Sequence, residues 1–176
     1  MMLIWLKMVQ FLESILKKSS KKTVLKKPNI KYLKPKNRDI ERVFIHCSDS
    51  DLVAHDDISV IRTWHTSPSD NDPSKPWNDI GYHYFISKES GLQIGRWIEL
   101  NPAAQLGHND KTIAICLAGS KNFTINQFEI LRELCKQIKK AHENITFHGH
   151  CEVDKYRTCP NFNYRQILNL DGNGNL

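Results

Sequence analysis

The sequence predicts an α/β fold, and three observations support that prediction. Strand-like and helix-like segments alternate from residue 43 onward. The run IAICLAG at 113–119 is short, continuous and apolar, as expected of a central strand. The segment after Thr124 repeats apolar residues at helical spacing. A chain of 176 residues is long enough for one domain with its own core and an appendage.

The other strands are predicted from alternation and flanking turn residues. VFIHCS at 43–48 alternates between two faces, with His46 on one of them. GYHYFISKESGLQIGRW predicts two strands joined at Lys88–Gly91, and ITFHGH at 145–150 predicts a last strand. These segments supply the sheet of the predicted fold.

Two helices are predicted from their N-terminal caps. Asp56 and Asp57 offer an N-cap ahead of apolar residues spaced by three. Thr124 and Gln127 match the capping-box pattern ahead of a longer amphipathic run. The apolar positions are Ile58, Ile61 and Trp64 in the first helix, and Phe128, Leu131, Leu134, Cys135 and Ile138 in the second.

The charge is divided unevenly along the chain. Residues 1–42 hold twelve Lys and Arg against Glu13, Asp39 and Glu41, a net charge of +9, whereas residues 43–176 hold thirteen against sixteen acidic residues, a net charge of −3. A mildly acidic domain argues against a nucleic-acid groove, so no nucleic-acid partner is expected.

The N-terminal region at 1–38 is predicted to be an amphipathic helix followed by a lysine-rich linker, ahead of a domain at 39–170 and a flexible tail at 171–176. Lys7 interrupts the first apolar run, so neither a membrane span nor a cleaved signal is expected. The helix either packs on the domain or a second copy, or binds an anionic membrane or wall surface, where lysines and apolar burial add. The oligomeric state stays open.

Five cysteines are an odd number without the spacing of a disulfide scaffold, and we expect them to be reduced. Cys116 and Cys135 fit small core positions. Cys159 differs, because with His46 and His150 it completes the two-imidazole, one-thiolate set that catalytic zinc sites use. Spacing alone leaves this set open, since most histidines lie at the surface or in the core, and His148 on the same strand is a rival ligand.

A resemblance to a known protein family favours one of these sets of candidate zinc ligands. The motifs VFIHCS, IRTWH, IGYHYFI, IGR, LGHND, IAICLAG and GHCEV…RTCPNF occur in that order over residues 42–168. In order and separation they resemble the zinc N-acetylmuramoyl-L-alanine amidases of the type-2 family, which include phage lysozyme-like amidases and peptidoglycan recognition proteins. The resemblance implies a single central mixed β-sheet flanked by helices.

Carried over residue by residue, the resemblance implies that His46, His150 and Cys159 bind Zn²⁺ and that Tyr82 lies beside the attacking water. Zinc with three protein ligands brings the pKa of its water to about 7 and polarises a carbonyl oxygen. A tyrosine hydroxyl suits orientation of that water better than the role of a free base. The alternative for Tyr82 is an aromatic residue packed in the core.

Arg157 departs from the family pattern. Phage-type enzymes typically carry a lysine two residues before the cysteine ligand, where this chain has Arg157. Arginine stays protonated, so it can stabilise an oxyanion but cannot act as a general acid. Lys155 is the alternative catalytic cation, because the loop between His150 and Cys159 differs in length from the phage type.

Three further residues are candidates for substrate binding. The resemblance suggests that His108 lines the substrate groove, with an ordinary loop histidine as the alternative. Trp64 can stack on a sugar ring, although tryptophan is more often a core residue. His83 follows Tyr82 in GYH, and strand alternation would point the two side chains in opposite directions.

The function implied by the resemblance is hydrolysis of the amide bond between N-acetylmuramic acid and L-alanine in bacterial peptidoglycan. The first alternative is a non-catalytic peptidoglycan-binding protein, but such binders typically lack the cysteine ligand that Cys159 supplies here. A structural zinc in a nucleic-acid-binding module would need a basic domain surface, which the net charge of −3 argues against. Without a clear signal peptide, we expect a cytoplasmic lysin released at lysis.

Overall fold

The structure is a computed structural model that describes residues 33–70 and 74–176. The amphipathic helix predicted for the first eighteen residues and most of the basic linker lie outside the described residues. The described strands are β1 (Arg42–Cys47), β2 (Tyr84–Ile86), β3 (Leu92–Ile94), β4 (Thr112–Leu117) and β5 (Thr146–Gly149). The helices are α1 (Ile58–Thr66), α2 (Ile125–Ala141) and α3 (Tyr164–Leu168), with short 3-10 turns at Val53–His55 and His150–Glu152.

The strands form one five-stranded mixed sheet in the order β3-β2-β4-β1-β5, which confirms the predicted fold class. β1 pairs in parallel with both β4 and β5, and β2 pairs in parallel with β4. Among the described strands, β2 and β3 form the one antiparallel pair. IAICLAG forms the central strand β4, as predicted. Parallel pairing brings the carboxyl ends of β1, β4 and β5 to the same edge of the sheet.

Helices cover both faces of the sheet, and β1 and β4 are therefore buried on both sides. On one face, Leu131, Leu134 and Ile138 of α2 pack with strand residues such as Ile45 and Ile115. On the other face, a smaller cluster consists of Ile61 of α1 with Ile80, Phe85, Cys116 and Ala118. Each fully buried Leu or Ile contributes about 1.5–3 kcal/mol, so these two layers fix the strand ends in place.

Both predicted helix caps are present. The Asp57 carboxylate accepts a 2.8 Å hydrogen bond from the Ser59 amide at the start of α1. At the start of α2, Thr124 Oγ1 accepts from the Gln127 amide at 3.1 Å, and Gln127 Oε1 accepts from the Thr124 amide at 3.0 Å. This reciprocal pair is the capping box that the sequence predicts.

The side chain of Gln127 also ties α2 to the sheet. Its Nε2 donates to the carbonyl oxygens of Ile86 and Ala118, at 2.9 and 2.8 Å, and the residue is fully buried. Ile86 ends β2, and Ala118 follows β4. One amide therefore caps the helix and satisfies two carbonyl groups at the ends of two strands.

Residues 33–38, predicted as the end of a linker, are packed against the domain. Leu33 is fully buried, and the amides of Lys36 and Asn37 donate to the Glu99 carboxylate at 2.7 and 3.0 Å. The Arg38 guanidinium donates to the carbonyl oxygens of Ile98 and Thr112. The described part of the chain is therefore packed on the domain from Leu33 onward.

Residues 171–176, predicted as a flexible tail, fold back on β5. The Phe147 amide donates to the Gly174 carbonyl oxygen at 2.8 Å, and Gly174 is buried. The Asp171 carboxylate accepts from the amides of Asn173 and Asn175 at 2.8 and 2.9 Å. Within residues 33–70 and 74–176, no helix combines the length and apolar character that a membrane crossing requires.

We expect Gln127→Met to lower the free energy of unfolding more than Thr124→Ala. The first change removes the side-chain donor to the Ala118 carbonyl oxygen and one of the two donors to the Ile86 carbonyl oxygen, which also accepts from the Ala118 amide. An unsatisfied buried carbonyl group costs about 1–3 kcal/mol, and the same change also removes the Gln127 half of the capping box. The second removes only one cap acceptor, at about 1 kcal/mol. Urea unfolding of both variants measures the difference, and an equal or smaller loss for Gln127→Met would contradict the role of this amide.

Candidate metal centre

Three side chains meet at the edge of the sheet where the parallel strands end. His46 is the fifth residue of β1, His150 follows β5 directly, and Cys159 lies in the loop before α3. One ligand atom from each residue lies within 4.8 Å of the other two. The three residues line a cavity of about 380 Å³ that is partly open to solvent. His150 begins a 3-10 turn, whereas the sequence pattern placed it at the end of a strand.

Backbone contacts hold the late loop against β1. The Cys47 amide donates to Cys159 Sγ at 3.2 Å, and the Cys151 amide donates to the Cys159 carbonyl oxygen at 2.9 Å. The first contact joins the loop to the strand that carries His46, and the second joins it to the turn that carries His150. The thiol is therefore fixed relative to both imidazoles.

Both imidazoles are neutral at neutral pH. Burial, and next the neighbouring His150, lower the pKa of His46 to about 3. Burial, followed by the positive charge of Arg157, lowers the pKa of His150 below its usual value. Because metals bind the unprotonated imidazole nitrogen, both rings are in the form that a metal requires.

The thiol is held in its protonated form by its surroundings. A hydrogen bond with the side-chain thiol of Cys47, and next burial, raise the pKa of Cys159 far above the usual value for a thiol. A thiolate at this position needs a nearby cation, and a bound metal deprotonates a coordinating thiol outright. The donor set therefore fits a cation that accepts nitrogen and sulfur ligands.

The spacing of the donors fits zinc. His46 Nδ1 and Cys159 Sγ lie 3.8 Å apart. Zinc bonds of roughly 2.0–2.1 Å to nitrogen and 2.3 Å to sulfur at a tetrahedral angle place the two ligands about 3.6 Å apart. Two histidines and one cysteine are also a known catalytic zinc set, as distinct from the four-ligand set of structural sites. Zn²⁺ thus suits the residues present.

Tyr82 lies beside the ligands and lines the same cavity. Its ring centroid is 5.2 Å from that of His46 and 5.4 Å from that of His65. Burial, with a smaller contribution from nearby thiols, raises the pKa of Tyr82 well above 10. The hydroxyl therefore keeps its proton at neutral pH and can act as a hydrogen-bond donor.

Arg157 lies at the rim of the cavity, and Lys155 does not line it. The Arg157 side chain is 63% exposed, with its Nε 3.7 Å from an Asp154 carboxylate oxygen. The Lys155 Nζ lies over the ring of Tyr156, at 5.0 Å. Of the two cations considered from the sequence, Arg157 is the one whose charge reaches His150.

His83 does not line this cavity, and its side chain is almost fully buried. Its Nδ1 accepts from the Ala114 amide at 3.1 Å, and its Nε2 donates to the Leu100 carbonyl oxygen at 2.9 Å. Tyr82 and His83 thus point in opposite directions, as strand alternation predicts. Both ring nitrogens of His83 are bonded inside the protein, and its expected role in substrate binding stays a prediction.

Trp64 and His108 also lie outside the lining of this cavity. Trp64 packs edge-on against His55, with 4.4 Å between the ring centroids, and is 37% exposed. His108 is a half-buried loop residue. Neither contacts the metal ligands, so their substrate-binding roles remain proposals for parts of the substrate beyond the cavity.

The rival ligand His148 has other partners. Its Nε2 lies 2.8 Å from Thr146 Oγ1, and its Nδ1 lies 2.6 Å from a Glu152 carboxylate oxygen. Its ring packs on Phe44, with 5.6 Å between centroids. Of the two histidines at this end of the chain, only His150 joins His46 and Cys159.

Sequence reasoning missed Gln105, which is buried and bonds to His46. Gln105 Oε1 lies 3.1 Å from His46 Nε2. The only signal in the sequence is a polar residue in the apolar stretch PAAQL, ahead of the LGHND motif. That pattern gives no indication of a partner 59 positions away.

Comparison with known proteins identifies the family. A family model described as N-acetylmuramoyl-L-alanine amidase matches residues 36–162, well over half of the chain. The chain belongs to this amidase family. The match agrees with the resemblance inferred from the sequence motifs and includes all three candidate ligands.

The relatives of this amidase include phage endolysins. This chain is 27% identical to the endolysin of Escherichia phage T7 over 134 residues, and the alignment covers 72% of this chain and 83% of the relative. It is 25% identical to the endolysin of Klebsiella phage KP32 over 139 residues, covering 74% and 87%. Both alignments cover most of either protein, so the similarity extends over the whole domain.

Solved structures share the fold of this amidase. N-acetylmuramoyl-L-alanine amidase LysC from Clostridium intestinale URNW has a TM-score of 0.62 at 23% identity, covering 74% of this chain and 84% of LysC. Drosophila PGRP-LB has a TM-score of 0.57 at 21% identity, covering 72% and 78%. At these identities the likeness shows the fold alone.

The burial of His83 predicts a loss of stability in acid. Burial, with the charges of Arg38 and Arg96, lowers the pKa of His83 to about 3, against 6.5 for a free side chain. Between those values the unfolded chain binds a proton that the folded protein does not, so stability falls as the pH drops from 6.5 toward 3.

We therefore expect His83→Gln to weaken the dependence of stability on pH in that window. Urea unfolding of wild type and variant at several pH values between about 7 and about 4 measures the two slopes. The variant is expected to be less stable at neutral pH, where it loses the bonds of the imidazole ring. Parallel slopes would contradict this role for His83.

Proposed function

We propose that this amidase uses zinc to hydrolyse the amide bond between N-acetylmuramic acid and L-alanine in bacterial peptidoglycan. One observation carries the proposal: the donor atoms of His46, His150 and Cys159 lie within 4.8 Å of one another, and the three residues line one cavity. Family membership supports the bond that is cleaved. The donor chemistry supports the metal.

The three ligands would hold the ion through two neutral nitrogens and one thiolate. When bound, zinc supplies Lewis-acid chemistry, lowering the pKa of water to about 7 and polarising the scissile carbonyl group. The protein contributes position, because His46 is fixed in a strand and Cys159 is held by the Cys47 amide. A rigid donor set reduces the rearrangement needed when substrate binds.

Tyr82 is proposed to orient the attacking water and to donate a hydrogen bond. Its hydroxyl remains protonated at neutral pH, because burial raises its pKa. Its ring lines the cavity beside the ring of His46, which supports a role close to the three ligands. As a weak acid in a buried setting, it is suited to donation rather than to proton abstraction.

Arg157 is proposed to stabilise the negative charge that develops on the carbonyl oxygen. Its guanidinium lies at the cavity rim and carries a permanent charge, so it contributes electrostatically without transferring a proton. The lysine typical of phage-type enzymes at this place can do both. Proton transfer to the leaving amine must then come from another group or from solvent.

A peptidoglycan-binding protein without catalysis is the alternative that fits the same fold. The presence of Cys159 as a third donor favours the enzyme, since a binding surface has no need of a thiol aligned with two imidazoles. We further propose that the chain acts as an endolysin, as its phage relatives are named, and reaches peptidoglycan when the host cell lyses.

Removal of zinc or of Cys159 is expected to abolish release of stem peptides. Mass spectrometry of digested muropeptides would compare intact protein, zinc-stripped protein and Cys159→Ser. Because oxygen of a serine hydroxyl is a poor ligand for zinc at this place, added zinc should restore the stripped wild type but not the variant.

The matched control is Cys151→Ser, which changes a half-buried free cysteine outside the ligand set. It should release stem peptides at close to the wild-type rate. Equal release by intact protein, stripped protein and Cys159→Ser would exclude the zinc mechanism. Binding to peptidoglycan without release by the intact protein would instead establish the non-catalytic alternative.

Arg157→Ala is expected to lower kcat/KM by about 100-fold, the cost typical of losing one group that stabilises an oxyanion. Arg157→Lys keeps the charge and should retain most of the activity. Lys155→Ala is the matched control, because it removes a charge from the same loop outside the cavity. A larger loss from Lys155→Ala than from Arg157→Ala would reverse the assignment.

A further inference from the structure

The side chain of Gln105 makes three hydrogen bonds in the interior, next to the candidate metal centre. Its Oε1 lies 3.1 Å from His46 Nε2. Its Nε2 donates to the His108 carbonyl oxygen at 3.2 Å and to Thr112 Oγ1 at 2.9 Å. Gln105 is only 1% exposed, so these protein groups are its partners in place of solvent. It touches His46 on the side of the ring that faces away from Cys159.

The neighbours determine which end of the amide faces His46. The His108 carbonyl oxygen can only accept a hydrogen bond. Thr112 Oγ1 donates its own hydrogen to the Asn109 carbonyl oxygen at 2.8 Å, and toward Gln105 it can therefore only accept. Both partners require the NH₂ group of Gln105, which leaves the carbonyl oxygen of the amide for His46.

The orientation of the amide in turn fixes the protonation of the imidazole. An amide oxygen has no hydrogen to donate, so His46 Nε2 must carry the ring hydrogen. The lone pair of a neutral ring is then on Nδ1. That nitrogen lies 3.8 Å from Cys159 Sγ, on the side of the ring where the other candidate ligands converge.

We propose that Gln105 is a positioning residue that holds His46 in the Nε2–H tautomer and directs Nδ1 toward the metal, with Thr112 fixing the orientation of Gln105. The inference rests on the proposed function in one respect, that His46 is a zinc ligand. Metal-binding histidines commonly donate their other N–H group to such a partner, and loss of that partner weakens metal binding.

The chain from Thr112 to the metal ligand also links the centre to the sheet. Thr112 is the first residue of β4 and is fully buried, and β4 pairs with the strand that carries His46. The orienting residue therefore sits in a loop whose far end is anchored in the central strand. An amide, unlike a carboxylate, orients the imidazole without adding negative charge beside the metal.

Three variants of the full chain test the proposal. Gln105→Met keeps the length of the side chain and removes its polar atoms, and Thr112→Val keeps the shape of threonine and removes the acceptor. Thr112→Ser retains the hydroxyl and is the matched control. Zinc affinity, measured by competition with a chromophoric chelator, is expected to fall 10- to 100-fold in Gln105→Met. Thr112→Val should weaken zinc binding in the same direction, and Thr112→Ser should bind as wild type.

The tautomer of His46 gives a readout that is independent of zinc. Long-range ¹H–¹⁵N spectra of the metal-free wild-type protein are expected to show a hydrogen on Nε2 and none on Nδ1. A hydrogen on Nδ1 would overturn the proposal, and so would wild-type zinc affinity in folded Gln105→Met. If a variant fails to fold, the tautomer of His46 in the wild-type protein still tests the proposal. Failure of wild type to bind zinc would instead count against the proposed function, and the spectrum would still decide the role of Gln105.

Discussion

Parallel pairing of β1 with both of its neighbours is the constraint on which the candidate metal centre depends. Because β1, β4 and β5 run in the same direction, their carboxyl ends lie at one edge, and residues more than a hundred positions apart become neighbours there. His46 is near the end of β1, and His150 follows β5. A hydrogen bond from the Cys47 amide then brings Cys159 to the same edge. A shift of one residue in β1 would turn His46 to the opposite face.

Burial has opposite effects on the two kinds of ligand. It lowers the pKa of His46 to about 3, so the imidazole is ready to coordinate. The hydrogen bond with the Cys47 thiol, and next burial, raise the pKa of Cys159, so the thiol resists ionisation. A bound divalent cation would stabilise the thiolate form of Cys159 and would leave both imidazoles neutral. The donor set therefore suits the divalent cation proposed above.

The sequence predicts those features that depend on local patterns. Apolar continuity predicted the central strand β4, and the spacing of Thr124 and Gln127 predicted the cap of α2. The ligands came from chemistry and family resemblance together, since spacing alone left His148 as a rival. Gln105 was not predictable, because its role depends on a partner that only the folded sheet brings near. The burial of His83 was missed for the same reason, although its direction relative to Tyr82 followed from alternation.

The docking of residues 33–38 has a practical consequence for work on the isolated domain. Motif boundaries suggest starting a shortened protein near residue 39, just after the basic region. Such a truncation would expose the site that Leu33 fills and would remove the guanidinium that satisfies the Ile98 and Thr112 carbonyl oxygens. Thr112 also receives a hydrogen bond from Gln105, so a trimmed terminus would disturb a strand that supports the candidate metal centre. A minimal active fragment should retain Leu33 and everything after it.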